Sequence, residues 1–372
     1  MKSPMGYAYL DHNATAPLLP AVAETMSGAL SAGGNPSSVH RAGREARRLV
    51  EDARESVAQL AGVDPAGVVF TSGGTEANVL ALRGAGVARV VVSAVEHDSV
   101  LAACPDATRI PVDGQGRVRI DALEQILATG EGRALVSVMA ANNETGVIQP
   151  LQAVARVARA HGALLHVDAV QAAGRIDLAA ITTLADMVTL SAHKLGGSAG
   201  VGALVLAPGV ELTPLVPGGQ ERRRRGGTEN LAGIAGFGVA AEAARASLDD
   251  QPRLARLRDR LEALILATAP DATLHGSAAD RLANTSCVGM PGVPAETQVI
   301  AFDLAGFAVS AGAACSSGKV ARSHVLDAMG LPEADAGSAI RVSLGTVTSE
   351  AEIDAFAAAW ATLYERTRQR AA

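Results

Sequence analysis

Lysine is nearly missing from this chain. Of 372 residues, 32 are Lys or Arg, yet only Lys2, Lys194 and Lys319 are lysines. Arginine replaces lysine as a surface charge, but its guanidinium does not condense with a carbonyl, so a lysine kept in mid-chain points to amine chemistry. Aromatic residues are also scarce, at 2%, which leaves the core to Ala, Val and Leu. Cysteine occurs at 104, 287 and 315 alone; an odd number with no C-x-x-C pair excludes a disulfide framework. With a formal charge of −6 and a pI near 5.8, the chain lacks the basic excess of a general nucleic-acid or anionic-membrane binder. No apolar run of about 18 residues is free of breakers. The uncharged stretch 195–210 carries five glycines and a proline. The opening MKSPMGYAYLDH has no apolar segment of the secretory type. These absences predict a soluble, cytoplasmic globular protein with no nucleic-acid or membrane partner.

What is present is an alternation. Residues 67–71, 89–94, 133–140, 163–168, 186–191 and 201–206 are short, nearly continuous Val/Leu runs and read as strands buried on both faces. Helical patterns lie between them, such as 41–61, with Ala46, Leu49, Val50, Ala53, Val57 and Leu60 on one face, Ser38 as candidate N-cap and Gly62 as terminator. The fold class expected is α/β with a mostly parallel sheet and right-handed crossovers. After Gly227 two long helical stretches, near 229–248 and 253–268, lead into shorter strands and a last helix near 349–369. The expected division is a large domain over 21–250 and a smaller α+β domain over 251–372, with segment 1–20 able to join the latter.

Candidate chemistry gathers at the predicted strand ends. Lys194, in Ser191-Ala192-His193-Lys194, follows one strand, and ligands in open parallel sheets sit beyond the carboxyl ends of strands. Asp168 ends another strand and is followed by Gln171. Alone, such an Asp is equally a helix cap. Paired with a strand-end lysine it suits pyridoxal phosphate, which needs an amine to hold it and a carboxylate to keep its ring nitrogen protonated. The run Thr71-Ser72-Gly73-Gly74-Thr75-Glu76-Ala77-Asn78, between a strand and a helix, reads as a phosphate cradle without the lysine of a P-loop, although Gly-Gly-Thr is also an ordinary tight turn. Cys315 stands among small residues, with Lys319 and Arg322 near enough in sequence to favour its thiolate, whereas Cys104 and Cys287 read as buried hydrophobes. Seven positions, 312 to 318, hold only Gly, Ala and Ser besides Cys315, which predicts a mobile loop over 311–322. His97 and Asn143 each follow a strand, and Arg341 could grip a carboxylate. The run Arg222–Arg225 has no interleaved aromatics and suggests a small-anion or subunit contact ahead of nucleic acid.

Taken in order, these segments resemble the cysteine desulfurases, in the class V aminotransferase group of fold-type I pyridoxal-phosphate enzymes. The resemblance runs nearly end to end. It is carried by Tyr9-Leu10-Asp11-His12-Asn13-Ala14-Thr15, Gly34-Asn35-Pro36-Ser37-Ser38-Val39-His40, Gly73-Gly74-Thr75-Glu76, Glu96-His97, Asn142-Asn143-Glu144, Asp168 with Gln171, Ser191 with His193 and Lys194, Gly226-Gly227-Thr228-Glu229-Asn230, Cys315 and Arg341. The resemblance implies a seven-stranded-type sheet and pyridoxal 5′-phosphate held covalently by Lys194, which also moves the proton at the substrate α-carbon. It implies Asp168 at the ring nitrogen, His97 stacked on the ring and Gln171 at the phenolic oxygen. Thr75, Ser191 and His193 would bind the phosphate, with Gly74 in the cradle and Thr228 arriving from the partner of a homodimer. Asn143 and Arg341 would orient the carboxylate of L-cysteine. Cys315 would take the sulfur as a persulfide and pass it to an acceptor protein for iron–sulfur cluster or thio-cofactor biosynthesis. No metal site is implied, save that Cys315 could transiently ligate an iron–sulfur cluster. Selenocysteine lyase, or another enzyme of this class, is the alternative. After Lys194 the sequence reads Leu195-Gly196-Gly197, where such enzymes commonly have Gly-Pro-Lys, so a local change of loop is expected.

Overall fold

The computed structural model describes residues 7–312 and 322–371. Cys315, Lys319 and Lys2 therefore lie outside the described residues, as does the expected mobile loop apart from its ends. The first strand, β1, is Ala8–Tyr9. Seven strands then build one sheet: β2 (Val68–Thr71), β3 (Arg89–Ser93), β4 (Thr108–Ile110), β5 (Ala134–Ser137), β6 (Leu164–Asp168), β7 (Met187–Ser191) and β8 (Gly202–Leu206). Their order is β2-β8-β7-β6-β5-β3-β4. Only β8 is reversed against its neighbours; the other pairs are parallel. The six apolar runs read from sequence are all present. The seventh strand, β4, escapes a reading by hydrophobicity because Thr-Arg-Ile offers only one apolar side chain at the sheet edge.

The alternation of side chains explains the burial on both faces. Phe70, Val167, Val188 and Val205 join a core packed under Arg41–Ala61 and Leu231–Ala246. Val69, Leu164, Met187 and Leu204 point the other way, under the helix Gly74–Gly84. The helix Arg41–Ala61 ends at Gly62 in the left-handed conformation, φ 67°. Its N-cap is His40, whose ring accepts from the Gly43 amide, and not Ser38. Ser38 is already committed: its amide donates to Asn35 in the preceding turn, and its carbonyl packs where a Cβ on Gly43 would stand 2.2 Å away. The helical stretch near 229–248 spans Leu231–Ala246, and the next spans Gln251–Thr268.

A second core lies around β9 (Thr273–Leu274), β10 (Thr285–Gly289), β11 (Phe307–Ala308), β12 (Ser310–Ala311) and β13 (Ala339–Ser343). Four of these form a sheet in the order β12-β13-β10-β9, antiparallel throughout. Trp360, Phe356 and Phe302, among the largest buried side chains, fill it from the helices Glu350–Ala371 and Ala295–Leu304. The start of the chain belongs to this core: β1 pairs in parallel with β11, and Leu10 is fully buried there.

Candidate active site

The parallel strands deliver their carboxyl ends to one edge of the large sheet, where a cavity of about 360 Å³ opens. Its wall takes Asn13, Gly74, Thr75, His97, Asn143 and Asp168 from separate segments, together with Gln171, Ser191, His193, Lys194 and Arg341. Of the residues singled out in the sequence, Thr228 is exposed and absent from this wall, and Cys315 lies outside the described residues. Gly312, just before the undescribed segment, does reach the cavity.

Asp168 terminates β6 and is buried. One carboxylate oxygen accepts from the Asn78 amide at 2.7 Å and the other from the Val170 backbone at 3.0 Å. Asn78 also donates to Ser99, while its own carbonyl oxygen is buried without a partner among the described residues. The chain of contacts continues: the Ser99 N–H donates to Nδ1 of His97 at 3.1 Å. An N–H can only donate, so Nδ1 of neutral His97 is the acceptor and Nε2 bears its proton. Sequence reasoning quoted Asn78 without a role and passed over Ser99. Their signal is positional, since Asn78 is one helical turn past Gly74.

The cradle is built by close packing. A Cβ on Gly74 would stand 3.1 Å from Val170 and 3.4 Å from Ser191, and one on Gly202 would stand 2.6 Å from the Gly73 backbone. Gly74 opens the helix Gly74–Gly84, whose first amides lack intrahelical acceptors and face negative charge favourably. Burial, then the charge of Lys194, push His193 down to about pKa 4, so it is neutral at pH 7. Lys194 sits on a tight turn, Ala192–Lys194, directly after β7. Its Nζ donates to the carbonyls of Asn13 at 2.5 Å and Ala14 at 2.7 Å.

Arg341 on β13 closes the wall from the second core. It donates to Asp11 at 2.6 Å and to the Asn143 carbonyl at 3.1 Å, while its buried Nε has no partner among the described residues. Asn13, unassigned in the sequence, is a hub: its amide donates to the Asn143 carbonyl and to Thr285, and its Oδ1 accepts from Asn284. The arginine run turns inward in part. Arg225 pairs with Glu76 of the cradle helix at 2.8 Å, and Arg224 donates to the Ala66 carbonyl. Before them Glu221, Arg222 and Arg223 hold φ of 45°, 54° and 65°, a left-handed turn of non-glycine residues. Among the described residues no group of three or more His, Cys, Asp or Glu is placed to hold a metal.

The donor set fits pyridoxal phosphate. A glycine cradle at a helix N-terminus suits the phosphate, a buried carboxylate suits a protonated ring nitrogen, an amine stands at the adjacent strand end, and the unpaired Arg341 Nε suits a carboxylate. The fold is that of fold-type I pyridoxal-phosphate enzymes, and the chain belongs to the aminotransferase class-V family, whose model matches residues 8–356. More particularly, it is 46% identical over 366 residues to the cysteine desulfurase of Cereibacter sphaeroides, covering 94% of each chain. Among solved structures it is similar to the NifS-like protein from Rickettsia africae, with TM-score 0.88, 34% identity and coverage of 96% of this chain and 99% of that one. It is also similar to SspA in complex with cysteine, with TM-score 0.76, 29% identity and coverage of 91% and 98%.

Proposed function

We propose that this chain is a pyridoxal-phosphate-dependent cysteine desulfurase, converting L-cysteine to L-alanine and holding the sulfur as a persulfide on Cys315 for an acceptor protein. The observation that carries the reading is the meeting, in one cavity, of the Lys194 amine, the buried Asp168 carboxylate on the neighbouring strand and the glycine cradle at Gly74. The 46% identical cysteine desulfurase supports the reaction, and the neighbour solved with cysteine supports the substrate.

When bound, pyridoxal phosphate supplies a ring that accepts the electrons released at the substrate α-carbon. The residues do the rest. Asp168, oriented by Asn78 and Val170, holds the ring-nitrogen proton. Thr75, Ser191, neutral His193 and the amides after Gly73 would receive the phosphate, His97 would cover the ring face, and Gln171 would meet the phenolic oxygen. Asn143 and Arg341 orient the substrate carboxylate; Asp11 already fixes one end of the guanidinium and leaves Nε to be satisfied. Lys194, at the end of β7, would hold the cofactor and move the α-proton.

The sulfur step balances without an oxidant: cysteine and the Cys315 thiol become alanine and the Cys315 persulfide. Cys287 is buried as read from sequence, whereas Cys104 is only half-buried; in both, burial raises the thiol pKa, so neither is a ready thiolate at neutral pH. Delivery to iron–sulfur cluster or thio-cofactor assembly is part of the same proposal.

The test is single turnover with L-cysteine. Alanine should appear with one sulfur on Cys315 by mass spectrometry, and Cys315→Ser should bind cysteine yet carry no sulfur. Borohydride reduction should fix the cofactor on Lys194. Sulfur found only on Cys104 or Cys287, or a reduced adduct only on Lys2 or Lys319, would overturn the reading.

A further inference from the structure

Gln171 is held from two sides. Its Nε2 donates to the Asn13 carbonyl at 3.0 Å, the same oxygen that accepts from Lys194. Its Oε1 takes Nη1 of Arg175, which also donates to the Gln171 backbone carbonyl at 2.8 Å. A guanidinium has donors only and a backbone carbonyl is an acceptor only, so both neighbours demand one and the same orientation of the amide. With Oε1 committed to Arg175 and one amide proton to Asn13, the second N–H is what Gln171 has left to offer.

Arg175 is otherwise out of place. Among the described residues its guanidinium takes no carboxylate; its hydrogen bonds go to Gln171 alone. The residue is half-buried overall, yet burial of its charged end, with Arg341 nearby, pushes its pKa down to about 10. Its charge in turn adds to the burial that depresses His12. A buried cation without a counter-ion is costly, and packing alone would be met by an aliphatic side chain.

We propose that Arg175 is a positioning residue that locks the Gln171 amide so that it presents an N–H, and not its carbonyl, to the cofactor side of the cavity. The role rests on the reading above, in which Gln171 meets the phenolic oxygen. An N–H donated there stabilises charge on that oxygen, most in the form of the cofactor that has lost its proton, and so lowers the pKa of the bound cofactor's visible band.

The experiment is a double-mutant cycle on holoenzyme, read as that pKa by absorbance titration. Arg175→Met and Gln171→Ala should each raise it by about one unit, the scale of one hydrogen bond to a charged group. In the Gln171→Ala background, Arg175→Met should add nothing, because a residue acting through another has no effect once that other is gone. If Arg175→Met does not fold, Arg175→Lys enters the same cycle: its smaller shift should likewise vanish without Gln171. Additive shifts would mean that Arg175 acts by its charge, and would overturn the proposal while leaving the role of Gln171 intact. No shift in Gln171→Ala would overturn both.

Discussion

His166 lies inside the large sheet, two residues before Asp168 on the same face, with Nδ1 2.9 Å from the Ser137 hydroxyl and Nε2 2.9 Å from that of Thr189. Burial pushes its pKa down to about 4, against a smaller opposing pull from Asp168. The neutral ring is the folded form, so the unfolded chain binds the extra proton. The stabilisation is complete above the unfolded value near 6.5 and is lost as pH falls through the folded value near 4. Over that window it is on the order of 3 kcal/mol. Urea unfolding at pH 7 and pH 4.5 should show a steeper acid loss for the parent than for His166→Gln, which cannot titrate; parallel losses would refute this. At Asp168 the effect expected from the proposed function is on catalysis. Asp168→Asn should keep cofactor but lose roughly 3–4 kcal/mol of transition-state stabilisation, or more, in kcat/KM. That Lys194, Asp168, Gln171, Ser191 and His97 would line one cavity was legible in sequence, because strand ends are marked by where apolar runs stop and the carboxyl ends of parallel strands share one edge. Arg175 and Asn13 were not, since each matters through what a distant segment places beside it.

Among the elements, the segment before Thr228 is the most constrained. The left-handed turn at Glu221, Arg222 and Arg223 is held by Glu221, which pairs with Arg54 at 2.7 Å and accepts from the Phe70 amide at 2.8 Å, all buried. Left-handed backbone at non-glycine residues costs about 1–3 kcal/mol each and persists only where the surroundings over-determine it. Glu221→Ala should cost about 3 kcal/mol, the low end for a broken buried pair, because Arg54 would keep only the more exposed Glu51 as counter-charge. Arg54→Leu in the same chain should recover part of that, as read by denaturant midpoints. A neutral single mutant would disprove it. Such a turn cannot be read from Glu-Arg-Arg-Arg, because nothing local favours it; the tertiary ion pair does. The cap at His40 was missed for a similar reason, the Asn35 turn having already engaged Ser38. By contrast the limits of β2, β3 and β6–β8 were clear to within a residue, because Val/Leu runs bounded by Gly, Asp and Ser punctuate strands whatever the fold; the run 133–140 overshoots β5, which stops at Ser137 although the apolar residues continue.

For the molecule as a whole, Thr228 is exposed and outside the cavity of its own chain, the arrangement expected if two chains share their sites. Light scattering should find a dimer, and Thr228→Ala should release cofactor faster on gel filtration without changing that mass. A fully active monomer would remove the case for sharing. Order along the chain has a further consequence. Asp11 and Arg341, whose pairing closes the cavity, stand 330 residues apart, and Asn13 reaches Thr285 and Ser343 across almost the same span. Synthesis is vectorial, and domains fold as they emerge. A growing chain can therefore complete the seven strands of the large sheet, with its cradle and lysine, long before the ribosome has made the strand that carries Arg341. Until then the early segment has its contacts to Gln171, His193 and Gly196 but not those to Thr285, Arg341 and Ser343. The wall of the cavity is thus closed only at the last stage of the chain's birth, after the sheet that supplies most of it.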